Sequence, residues 1–126
     1  MQLRLQLLPD ELAMVQLPAK SVLPAWVDIT QNFISVAWTA DELSVICPQV
    51  CVPQTQAAAS GWRVFKVLGP LDLGLTGITH QLSAPFAAAK IPVNLIATYD
   101  TDYVMLHGDN LVAGLALLHQ HFTVVG

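Results

Sequence analysis

A chain of 126 residues, 54% hydrophobic and 11% charged, can build a substantial core and is too apolar for disorder. Its net charge is −4, with five lysines and arginines scattered along the chain, so it lacks the basic stripe a nucleic-acid surface needs. A mean hydropathy of +0.55 raises the question of a membrane span. However, Lys90, Pro92, Asn94, Asp100 and Asp102 cut the apolar runs well before roughly 20 residues accumulate.

From the N-terminus, Leu3, Leu5 and Leu7 alternate with Arg4 and Gln6, the period of a half-buried strand. This opening meets acids early and does not read as a signal peptide. Pro9-Asp10 marks a turn, and Ala13–Leu17 predicts a second strand. Pro18 and Pro24 bracket Ala19–Val27, leaving room for one or two helical turns. Phe33–Trp38 and Leu43–Cys47 predict a hairpin joined by Thr39-Ala40-Asp41-Glu42. Pro48 to Gly61 reads as a connector, and Trp62–Leu68 as a strand.

The loop Gly69-Pro70-Leu71-Asp72-Leu73-Gly74 then leads into the longest helical pattern. Leu71, Leu75, Ile78, Leu82, Phe86 and Ala89 form one apolar stripe, with Asp72 as its expected cap and Pro85 as a bend. Val93–Ala97 and Tyr103–Leu106 flank Thr98-Tyr99-Asp100-Thr101-Asp102, a second hairpin with two carboxylates at its tip. Asp109 or Asn110 should cap a final helix over Leu111–His119, before a closing strand at Phe122–Val125.

Shifted by 60 residues, the chain shows a weak internal repeat. Leu3–Leu8 falls on Arg63–Leu68, and Ser35–Cys47 on Leu95–His107, with Ala37 over Ala97 and Glu42 over Asp102. The second half reads strand, helix, strand, strand, helix, strand. The expected fold class is therefore α+β: two fused ferredoxin-like βαββαβ units with antiparallel sheets, over 1–60 and 61–126, the first with a degenerate first helix. The seam between two such sheets is a natural concave site.

The chemistry-bearing groups are few. Asp100 and Asp102 would share a face on an extended segment and could anchor a cation; plain turn chemistry is the competing explanation. A helix N-terminus after Gly69–Gly74 would suit a carboxylate, and its glycines would let a ligand approach the backbone. Together the two ends match the heads of an α-amino acid. His119 and His121 form an H-x-H pair, but neither they nor His80, His107, Cys47 and Cys51 have a recognisable metal spacing. Cys47 and Cys51 read as buried thiols of a reducing compartment, which points to the cytoplasm. Trp26, Trp38 and Trp62 read as core or interface anchors. No nucleophile signature is visible and no cofactor is expected.

The stretches GWRVFKVLGPLDLGLTGI and IPVNLIATYDTDYVML, supported by FISVAWTADELSVICP, resemble small bacterial proteins built from tandem ACT-like units. They are also similar to the ACT repeats of the animal cytosolic arginine sensor. The resemblance implies a regulatory module that binds an amino acid between paired ACT units and catalyses nothing. Carried over by position, the ligand-binding set comprises Gly69, Leu71, Asp72, Gly74, Thr98, Tyr99, Asp100 and Asp102. It implies a homodimer and a separate protein partner to receive the signal. An interaction module whose ligand site has lapsed is the alternative.

Overall fold

Which strand the N-terminal leucines join decides the architecture. The structure, a computed structural model, describes residues 2–71 and 75–126. It divides into two units: Met1–Pro9 with Arg63–Gly126 (the major unit) and Asp10–Trp62 (the minor unit). The first nine residues group with the C-terminal part of the chain.

In the major unit, β1 (Arg4–Leu7) lies between β5 (Ala59–Val67) and β8 (Thr123–Val125). Leu5 faces Val67 across an antiparallel ladder and Val124 across a parallel one. β5 also pairs with β7 (Asp102–His107), which forms a hairpin with β6 (Asn94–Ala97), giving the order β8-β1-β5-β7-β6. Leu3 and Leu5, Phe65 and Val67, and Val104 and Leu106 each lie two apart, so each pair presents one face. Against them pack Leu82 and Phe86 of α1 (Ile78–Ala88) and Leu118 of α2 (Leu111–His121). β5-α1-β6-β7-α2-β8 is the expected βαββαβ order, with β1 inserted as an extra strand.

The apolar stripe overstates α1. The helix begins at Ile78, after Gly77 with φ +79°, a left-handed conformation that breaks the helical run from Leu71 and Leu75. Both leucines lie in the preceding loop, and the cap is Gly77, not Asp72. Asp72 and Gly74 lie outside the described residues. Pro85 sits inside α1, where it cannot donate to the carbonyl of Gln81. In α2, Gly114 lets the helix approach β7 closely: a Cβ there would lie 2.7 Å from Leu106 Cδ2.

The minor unit pairs β2 (Leu12–Pro18) with β4 (Glu42–Pro48) along its whole length, and β4 with β3 (Ser35–Trp38). The start of β5 adds to β2 through Leu12 opposite Trp62 and Met14 opposite Ala59. Between β2 and β3 the described residues form turns and no helix, one of them closed by the Asp28 carboxylate accepting from the Thr30 N–H and hydroxyl. Val15, Val27, Leu43, Val45 and Cys47 form the unit's core.

The two hairpins match at an offset of 59 rather than 60. Trp38 faces Leu43 as Ala97 faces Asp102. Each tip opens on a threonine: the Thr39 N–H donates to Glu42 O, and the Thr98 N–H donates to Thr101 O, both at 2.9 Å. The partner of Asp102 in the repeat is therefore Leu43, which is fully buried, and not Glu42.

Candidate functional site

The major unit contains a cavity of about 260 Å³, bounded by the β6–β7 tip, Leu71 and Leu75 from the loop, and the first residues of α1. That volume is near the small end of small-molecule pockets. Of the residues expected to bind a ligand, Leu71, Thr98, Tyr99, Asp100 and Asp102 line it together. Gly69 lies behind the wall. A Cβ there would fall 2.8 Å from Leu71 N and 3.2 Å from Asp100 O, the two atoms of a 2.7 Å hydrogen bond that ties the loop to the tip.

The turn is closed by threonines. Thr98 donates from both its N–H and its hydroxyl to the carbonyl of Thr101, at 2.9 and 3.1 Å. Thr101, buried at 4% exposure, donates its hydroxyl to Val67 O. Among the described residues, the carboxylates of Asp100 and Asp102 have no hydrogen-bond or ion-pair partner. Plain turn chemistry therefore does not account for them. The positions are rigid nonetheless: Asp102 opens β7 opposite Ala97, and Asp100 is held through its own carbonyl.

Gly77, Ile78 and Thr79 also line the pocket. The first intrahelical bond of α1 is Gln81 N–H to Gly77 O at 2.9 Å. By helix geometry the N–H groups of the first turn have no acceptor within the helix, and the positive end of the helix dipole is located there. No acidic side chain occupies this turn. The pocket lining thus combines a helix start that suits a carboxylate with two aspartates that suit a cation. Leu75, Gly77, Ile78, Thr79, Ala97 and Thr101 are the lining residues that sequence reasoning missed. The positive φ of Gly77 leaves no trace in apolar spacing, although a glycine before a helical run is a signal for a cap.

The histidines and cysteines are elsewhere. His107 Nδ1 lies 3.4 Å from an Asp109 carboxylate oxygen, and Cys47 is buried in the minor unit. Among the described residues, no three histidine, cysteine or acidic side chains gather as a metal set. No described helix is long and apolar enough to cross a membrane.

Fold and pocket together describe a ferredoxin-like module with a cavity close to small-molecule size. An ACT-domain family model matches residues 57–120, about half of the chain, and the chain belongs to that family. A second model, described as an N-terminal domain, matches residues 10–55. The protein is similar to a structural-genomics protein of Agrobacterium tumefaciens, with 28% identity over 99% of this chain and 93% of that one, and a TM-score of 0.91. A Vibrio cholerae protein of unknown function matches at 15% identity over 95% and 90% of the two chains, with a TM-score of 0.74. The aspartate kinase of Clostridium acetobutylicum, described as an allosteric enzyme, matches at 9% identity over 90% of this chain and 33% of its own, with a TM-score of 0.62. The last two likenesses concern the fold alone. Both units are ACT-like, and only the major one carries α-helices among the described residues.

Proposed function

We propose that the major unit binds a free amino acid in the pocket between the β6–β7 tip and the start of α1. Binding changes how ACT units of separate copies associate, and the chain acts as a regulatory sensor with no catalysis of its own. One observation carries this reading: Thr98 and Thr101 close the turn, and two carboxylates with no partner among the described residues share a cavity with a helix N-terminus. An α-carboxylate suits the helix start, and an α-ammonium suits Asp102, which opens a strand. Family membership supports the reading, as does the fold shared with a kinase described as allosteric. Ligand can transmit information here only through unequal affinity for two association states.

Thermal unfolding of the purified protein against each of the twenty amino acids tests the proposal. A ligand at about 100 times its Kd adds roughly 2.7 kcal/mol, a clear rise in Tm. The rise should be selective and lost in Asp102→Ala, with a ligand-dependent change in sedimentation. A flat panel would favour an interaction module without a ligand.

A further inference from the structure

Cys47 and Cys51 are four positions apart, a span of roughly 13 Å on an extended chain. The fold brings them together instead. β4 ends at Pro48, and one 3-10 turn over Gln49–Cys51 follows, closed by the Val52 N–H donating to Gln49 O at 3.1 Å. Cys47 belongs to the core of the minor unit, and Cys51 packs against that same cluster. We propose that these two thiols are a reversible redox site of the minor unit, joined as a disulfide by a hydroperoxide. A dithiol reopens the bond and is itself oxidised to a disulfide.

The surroundings of the two thiols assign their roles. Cys51 is half-buried and open to an oxidant from solvent, whereas Cys47 is fully buried, opposite Ala13 on β2. The Cys51 thiolate attacks the O–O bond, its sulfur is oxidised to a sulfenic acid, and the other oxygen takes a proton and leaves as an alcohol or water. The Cys47 sulfur then displaces the hydroxyl from the Cys51 sulfur, and its thiol proton departs with that hydroxyl as water. Burial, and after it the charge of the nearby Cys51, keep the Cys47 thiol protonated until Cys51 has become a neutral sulfenic acid. The new bond closes a loop that contains Gln49. The Gln49 N–H donates to Glu11 O at 2.9 Å and its Nε2 to Glu11 Oε2 at 2.7 Å, while its Oε1 accepts from the Gly61 N–H at 3.0 Å. Oxidation therefore fastens the turn that ties the starts of β2 and β5 to the end of β4.

Treating the intact protein with hydrogen peroxide at neutral pH, followed by alkylation and intact-mass measurement, tests the site. The mass should fall by two hydrogens, both thiols should resist alkylation, and dithiothreitol should restore them fully. Amide hydrogen exchange at Gln49 and Gly61 should slow several-fold in the oxidised form. Cys51→Ser should abolish the mass change and leave Cys47 unmodified by the same peroxide. Cys47→Ser should stop at a sulfenic acid on Cys51, which dimedone captures. Should Cys47→Ser unfold, Cys51→Ser and the unaltered protein decide. Two free thiols after peroxide, sulfinic acid on Cys51 without a disulfide, or a disulfide between copies overturns the site. A Cys47–Cys51 disulfide that leaves exchange at Gln49 and Gly61 unchanged overturns the fastening of the turn.

Discussion

Thr101 illustrates how a single side chain positions the site. It is the only buried polar residue among those described, and its hydroxyl reaches from the hairpin tip to the carbonyl of Val67 on β5. Thr101→Val keeps the shape and deletes the donor, so it should destabilise the protein by about 1–3 kcal/mol in urea unfolding and loosen ligand binding with it. Cys47 gives a pH dependence. Burial, with Cys51 close by, pushes its thiol from 9.0 up to about 11. The folded chain keeps this proton where the unfolded chain releases it. The contribution is therefore intact below pH 9.0 and declines as pH rises towards about 11, by the order of 2 kcal/mol. Denaturant titrations across that window should show the decline, and Cys47→Ala should flatten it. Sequence spacing had located both aspartates and the buried thiol. It had not assigned turn closure to the threonines, because Thr, Asp and Asn compete for the same backbone groups and only burial decides among them.

At the scale of elements, the start of α1 matters most, since it forms one end of the pocket. Gly77 holds φ +79° with open space where a Cβ would stand, so the constraint is the backbone angle and not crowding. Gly77→Ala should cost about 1 kcal/mol in thermal unfolding, the penalty of a left-handed alanine, with any ligand affinity reduced as the first-turn N–H groups shift. The hairpins were legible from alternation and turn residues. Their equivalence was misread by one residue, a slip that places Asp102 over a polar neighbour instead of a core leucine. Strand pairing reveals it because a one-residue shift exchanges the two faces of a strand. The helix stripe failed for a related reason: Leu71 and Leu75 keep helical spacing while lying in a loop, one half-buried against the core and the other 40% exposed beside the pocket.

For the whole molecule, the decisive fact is that residues 1–9 and 63–126 form one unit. Leu3 and Leu5 are 2% and 0% exposed in the core of the C-terminal helices. A fragment of residues 61–126 lacks its β1 strand and should fail to fold cooperatively by circular dichroism and NMR dispersion. Adding residues 1–9 through a flexible linker should restore folding. A well-folded fragment would show that β5 and β8 can close without β1. Composition, the strand periods and the acidic tip were readable from the sequence, because each is set by residue type or by neighbours a few positions apart. The insertion of β1 between β5 and β8, the late start of α1 and the meeting of that helix with the hairpin tip were decided only by tertiary structure. Each depends on which distant surfaces bury one another, and local spacing is the same whichever partner a strand finds.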